Sequence, residues 1–150
     1  MTAPESVEMD APDRDDFLGT GGTGVLSFSR PADDPPHSIP VSFGYDARET
    51  TFYFRLSVGP DSEKAVLLDR PVTVVVYGRD DDRWKSVVAT GRLEESTETD
   101  IATETLQGLD RVHIPMVDIF GRPPKEVPFA VYRLVPEEMT ARVETPTTVE

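Results

Sequence analysis

A chain of 150 residues has room for one domain, and its 37% hydrophobic content is low but adequate for a modest core. With 28 acidic residues against 15 basic ones it carries a net charge of −13, a surface that repels nucleic acid and anionic membranes at long range. It has no cysteine and only two histidines, which excludes disulfides, iron–sulfur clusters, thiolate zinc sites and thiol catalysis, and argues against a histidine-rich metal site.

Along the chain, residues 1 to 11 read as a mobile acidic extension, neither basic at the start nor apolar enough for a signal peptide. No apolar stretch approaches the roughly 20 residues needed to span a bilayer, so the expectation is a soluble cytoplasmic protein with no membrane or nucleic-acid partner. The basic residues include only three lysines, Lys64, Lys85 and Lys125. An acidic, lysine-poor surface suits a salt-loaded cytoplasm, where carboxylates keep their hydration; a surface made for one partner is the alternative.

A single domain is expected over residues 12–144. Asp13 to Leu18 can form a short helix with carboxylates in its first turn, stopped by the glycines of Gly19-Thr20-Gly21-Gly22-Thr23-Gly24. Strands follow at Val25–Ser29 and His37–Tyr45, the second with Pro40 near an edge or irregularity. In the third strand, Thr50 to Leu56, Phe52, Phe54 and Leu56 point one way while Tyr53 and Arg55 point the other. The β-branched run Val72 to Tyr77 predicts a strand buried on both faces. Trp84 to Leu93 predicts a fifth, with Gly91 as a bulge or a close backbone approach. Between these two, Gly78 to Asp82 makes an acidic turn.

Thr97 to Leu109 carries a capping pattern and i, i+4 apolar spacing, so a helix is expected there. Residues 112–128 read as irregular, Phe129–Val135 and Met139–Val143 as final strands, and 145–150 as a disordered tail. Six or seven mostly antiparallel strands with few helices predict a mostly β protein, a small β-barrel.

The motifs need weighing. Gly19, Gly21 and Gly24 match G-x-G-x-x-G, but a dinucleotide loop must follow a strand and open a helix. Here the order is reversed, so a flexible entry turn is the better reading. His37 and His113 lack neighbours that would make either a catalytic base, and Asp80-Asp81-Asp82 reads as a solvated hairpin tip, not a calcium loop. No metal site and no catalytic residue is assigned. The stretch from Thr51 to Val76 is more informative. A dense strand leads through Gly59-Pro60 to Ser62 and Lys64 at the start of a possible helix, where unpaired backbone N–H groups favour an anion. Arg55, just before the turn, could converge on the same anion. From local chemistry alone, a phosphate site and simple neutralisation of nearby carboxylates such as Asp61 and Glu63 both remain open.

The ordered series of motifs extends the reading. Gly24-Val25-Leu26-Ser27, Pro40-Val41-Ser42-Phe43-Gly44-Tyr45-Asp46, Phe52-Tyr53-Phe54-Arg55, Ser62-Glu63-Lys64, Arg70-Pro71-Val72, Trp84-Lys85-Ser86-Val87-Val88, Gly91-Arg92 and Val131-Tyr132-Arg133-Leu134 resemble the pyridoxamine 5'-phosphate oxidase-like family of FMN-binding split barrels. The resemblance runs over residues 17 to 143. It implies a split β-barrel, a homodimer with FMN in a groove between subunits, and oxidoreductase chemistry on an unidentified small molecule. It further implies that Val41, Ser42 and Phe43 line the isoalloxazine ring, that Phe54 and Arg55 reach its edge or the phosphate, and that Ser62 and Lys64 hold the phosphate. Ser86 takes the position of a flavin-proximal glutamine, approaching from the other subunit. Glu63 stands where a second basic residue is often found, and the basic substrate residues near the oxidase C-terminus have no counterpart. A deazaflavin-dependent reductase and a non-enzymatic flavin or haem module are the alternatives.

Overall fold

The computed structural model describes residues 6–31, 33–56, 68–96 and 130–144. Among them are one helix, α1 (Ala11–Leu18), and nine strands: β1 (Ser6–Glu8), β2 (Gly21–Phe28), β3 (His37–Asp46), β4 (Thr51–Leu56), β5 (Val72–Asp80), β6 (Arg83–Gly91), β7 (Leu93–Ser96), β8 (Ala130–Leu134) and β9 (Glu138–Glu144). All pair antiparallel in a single sheet of order β1-β9-β6-β5-β2-β3-β4-β8-β7.

That order forces the sheet to curl. β6 and β7 stand six positions apart, about 29 Å in a flat sheet at ~4.8 Å per strand. Yet only Arg92 separates them, and two Cα steps span at most about 7.6 Å. The β8–β9 connection crosses the same distance in three residues. The two edges therefore meet. Glu137 N–H donates to the Thr90 carbonyl at 2.8 Å, and a Cβ on Gly91 would lie 2.8 Å from a Leu134 methyl and 3.0 Å from the Val135 carbonyl. The close approach expected at Gly91 is what allows the closure. The molecule is a split β-barrel, mostly strand.

The interior of the curl is the core. Leu26, Phe52, Phe54, Val74, Val87, Ala89, Tyr132 and Leu134 are fully buried within it. Phe52 is central, with ring centroids of Tyr45, Phe43 and Phe54 at 4.9, 5.7 and 6.3 Å. Helix α1 begins at Asp10, whose side chain accepts the Asp13 N–H, and ends at Gly19, where φ is +58°. It is tied to the sheet by the Tyr45 hydroxyl, which donates to Asp15 Oδ1 at 2.7 Å. Burial and that carboxylate push the Tyr45 phenol well above its ordinary range.

The structure corrects several expectations. Nine strands, not six or seven, are present among the described residues. Ser6–Glu8, within the stretch read as a mobile extension, pairs with β9; three residues carry no periodicity of their own, and the register comes from the partner strand. The glycine run is not simply an entry turn, because β2 starts at Gly21 and continues through Gly24. Tyr77 is 64% exposed and Thr73 and Val75 only half-buried, so the β-branched run of β5 has one core face and is not buried on both. The strand expected at Trp84–Leu93 divides at Arg92 into β6 and β7, which lie at distant positions of the sheet. The acidic turn is a two-residue hairpin at Asp81-Asp82, both with positive φ of 54° and 61°. Pro40 sits where β3 has lost its second neighbour: β4 pairs only with Phe43 onward, so the missing N–H breaks no second ladder. The expected helix 97–109, the segment 112–128, His113 and the tail 145–150 lie outside the described residues.

Candidate functional site

Strand alternation divides the predicted site residues between the two faces of the sheet. Val41, Phe43 and Phe54 project into the core and are at most 5% exposed. Phe43 lies directly opposite Phe54 in the β3–β4 register, and Phe54 opposite Tyr132 of β8. Their side chains floor the sheet from within. Ser42 and Arg55 belong to the outer face. The β3–β4 ladder ends at the Phe43–Phe54 pair, and Ser42 and Arg55 are the next residues beyond it on adjacent strands. On its other side Ser42 pairs with Thr23 of β2.

Following the registers across the sheet gives runs that the sequence did not reveal. The β2–β5 ladder ends at Val25–Val75, two residues short of Thr23 and Tyr77; Tyr77 pairs with Ser86, and Ser86 with Arg142 of β9. The ladders thus join Arg142, Ser86 and Tyr77 in one run across β9, β6 and β5, Thr23 with Ser42 across β2 and β3, and Arg55 with Val131 across β4 and β8. Ser86 is three strands from Ser42, about 14 Å along the sheet, so within one protomer the two hydroxyls cannot share a contact. Ser62 and Lys64 lie outside the described residues.

Two features give this face chemistry. The Ser42 Oγ is buried and has no hydrogen-bond partner among the described residues, an arrangement that costs free energy in an isolated protein. Nearby, Tyr77 and Trp84 (47% exposed) contact each other at 6.3 Å between centroids, and the Arg79 guanidinium lies 6.0 Å from the Trp84 ring. Half-buried Val25, Val75 and Val88 complete an apolar band beside them. Lys85 bonds Asp80 at 2.9 Å, which holds its ammonium pKa above the ordinary value. A separate open cleft of about 410 Å³, lined by residues that include Met9, Arg14, Met139 and Ala141, contains none of the predicted positions. His37 is exposed and stacks on Phe28 at 6.1 Å. None of the described helices is long and apolar enough to cross a membrane.

The fold and the outer face define the split-barrel class that includes flavin-binding proteins. The sequence profile of the pyridoxamine 5'-phosphate oxidase family matches residues 10–143, and the chain belongs to that family. No curated protein sequence matches it. Its fold is similar to an FAD-binding protein from Mesorhizobium loti, at 20% identity and a TM-score of 0.67 over 96% of this chain and 100% of that one. It is similar to an FAD-binding protein from Mycobacterium smegmatis, at 16% identity and a TM-score of 0.66 over 94% and 100%. A third similar structure, an FAD- and haem-binding protein from the same organism, has 16% identity and a TM-score of 0.62 over 97% and 76%.

Of the residues singled out from sequence, Val41, Ser42, Phe43, Phe54 and Arg55 come together on β3 and β4, and Ser86 does not join them within the protomer. Thr23, Tyr77, Trp84 and Arg142 lie on the outer face and were not among the residues singled out. Alternation within a strand tells which face a residue takes, but only the strand order tells whose neighbour it is.

Proposed function

We propose that this protein is an FMN-binding flavoprotein, a homodimer with the cofactor between subunits, that carries out a redox reaction on a small molecule. The observation that carries the reading is the Ser42 hydroxyl, buried with no hydrogen-bond partner among the described residues, with Arg55 on the neighbouring strand of a split barrel in this family. A hydroxyl with no partner among the described residues and a guanidinium suit a ligand that offers carbonyl, ring-nitrogen and phosphate acceptors. The donor set fits a flavin.

In this reading Val41, Phe43 and Phe54 act from the core, holding β3 and β4 rigid so that the backbone of residues 41–43 presents a fixed edge. Ser42 faces the ring. Arg55, with Ser62 and Lys64, grips the phosphate, and Ser86 serves the groove from the second subunit. The exposed Tyr77, Trp84 and the valine band give a second copy an apolar surface to cover. The bound flavin supplies the hydride chemistry, so the chain need contribute no acid–base pair.

The names of two similar structures support FAD as a second reading, and a third adds haem. One measurement separates them: the visible spectrum of the purified protein, with the mass of the chromophore released on denaturation. A deazaflavin would declare itself by its own absorption and fluorescence. A protein that is colourless, and unchanged by added FMN or FAD, overturns the flavin reading. Replacing Arg55 and Lys64 together by alanine is expected to weaken FMN by about tenfold or more and riboflavin far less, since only FMN carries the phosphate. Equal loss for both ligands refutes the phosphate clamp.

A further inference from the structure

Tyr77 and Trp84 are large aromatic side chains that the protomer leaves in water. They are 64% and 47% exposed, while Val74 and Val87 on the inner face of the same two strands are fully buried. The β5–β6 register sets Arg79 directly opposite Trp84 and Tyr77 opposite Ser86, so the two rings are diagonal neighbours on one face. They meet at 6.3 Å between centroids with 35° between their planes, and the Arg79 guanidinium lies 6.0 Å from the Trp84 ring. One strand further on, Arg142 of β9 pairs with Ser86. Two acids of this region are engaged: Asp80 bonds Lys85 at 2.9 Å, and Glu144 accepts the Trp84 N–H at 3.1 Å. Aromatic faces and arginines thus share one surface in a chain where acidic residues outnumber basic ones by 28 to 15. Rings left in water add little to the fold, so the stability of the protomer does not explain the cluster.

We infer that Tyr77 and Trp84, with Arg79 and Arg142, form a binding site for the adenosine diphosphate group of a dinucleotide. The purine stacks on the aromatic pair, and the guanidinium groups take the phosphates. A purely apolar ligand would leave the arginines unused, and a lone phosphate would leave the rings unused; a purine diphosphate uses both. The two features lie on adjacent strands of one ladder, so a single ligand can span them without any movement of the sheet. FMN lacks this group, and the inference therefore goes beyond the flavin reading above. Two kinds of molecule carry it: FAD, through its second nucleotide, and a nicotinamide dinucleotide. Val25, Val75 and Val88, half-buried beside the cluster, remain for a second copy to cover.

Trp84 is the only tryptophan in the chain, so its fluorescence reports on the site directly. ADP, added to the purified chain without flavin, is expected to quench that fluorescence saturably, and adenosine to bind about fivefold more weakly for want of phosphates. Tyr77→Ala is expected to weaken ADP by about tenfold, the scale of one base-stacking contact. Tyr77→Phe keeps the ring and is expected to restore the affinity. Arg79→Gln is expected to weaken ADP by about fivefold and adenosine far less. Calorimetry then separates the two sources. ADP binding that is lost in the FAD-loaded protein assigns the site to the second nucleotide of FAD; binding that persists there and is displaced by NADH assigns it to a nicotinamide dinucleotide. The inference is overturned if ADP gives no saturable quench, if Tyr77→Ala binds ADP within about twofold of the parent, or if Arg79→Gln loses ADP and adenosine equally. The visible spectrum of the purified protein decides the flavin reading independently of ADP, so the two failures are told apart.

Discussion

Gly24 offers the sharpest test of the packing. It lies on β2 opposite Val41, beside the β3 segment that carries Ser42. A Cβ built there would stand 2.7 Å from the Val75 carbonyl oxygen and 3.3 Å from a Val76 methyl. The first neighbour is backbone in the middle of β5 and cannot rotate away. Gly24→Ala must therefore push β2 and β5 apart by roughly half an ångström, and overpacking of this kind costs about 1–3 kcal/mol. The entropy that alanine removes from the unfolded chain returns only about 0.4–1 kcal/mol. The net loss of about 1–2 kcal/mol corresponds to a fall of about 2–8 °C in melting temperature for a domain of this size. Gly78→Ala is the control. It lies on the neighbouring strand, and its Cβ would meet nothing within 4 Å, so that variant is expected to be neutral or slightly stabilising. Thermal melts of the two variants by circular dichroism make the comparison. If Gly24→Ala is as stable as Gly78→Ala, the close approach of β2 and β5 is not real.

Two other outcomes follow from the same geometry. The Tyr45 phenol is held above its ordinary value by burial first and by Asp15 second, so above about pH 10 the unfolded state loses a proton that the folded state keeps. Stability from this group is complete below that pH and declines as pH rises beyond it. Tyr45→Phe is expected to cost about 1 kcal/mol at neutral pH and to flatten the alkaline limb of a urea-denaturation profile; a parallel limb in parent and variant refutes this. At the β5–β6 hairpin, both Asp81 and Asp82 hold positive φ, the conformation that favours an Asp-Gly pair. Asp82→Gly is expected to raise stability by about 0.5–1 kcal/mol, read as an upward shift in the denaturation midpoint. A downward shift would mean that the Asp82 carbonyl, which accepts from Arg79 at 3.3 Å, anchors the tip through its present geometry.

How far the sequence carried the reading depends on the kind of information each residue holds. The end of helix α1 was legible because a glycine stop is local chemistry, and Gly19 marks it in the sequence as in space; its start was expected at Asp13, whereas Asp10 caps a helix that begins at Ala11. β4 was legible because Phe52, Phe54 and Leu56 alternate with period two. Gly91 was flagged as a close approach, although its neighbours Leu134 and Val135 are far away in the chain. What failed was local reasoning about burial. The β-branched run of β5 looks buried on both faces, yet Tyr77 emerges on the outer side because no second layer among the described residues covers that part of the sheet.

The sequence by itself determined most of the strands, the alternation of their side chains, and, through the ordered series of motifs, the family. These follow from propensity, alternation and the identity of residues at fixed spacing. Only the tertiary structure decided that β6 and β7, one residue apart, lie six positions apart in the sheet, so that the barrel must curl to join them. It alone set Ser86 three strands from Ser42 and left the Ser42 hydroxyl buried without a hydrogen-bond partner among the described residues. Hydrogen-bond satisfaction is a property of the assembled sheet: a residue's side chain specifies what it can donate, and only the fold specifies whether anything is there to accept it.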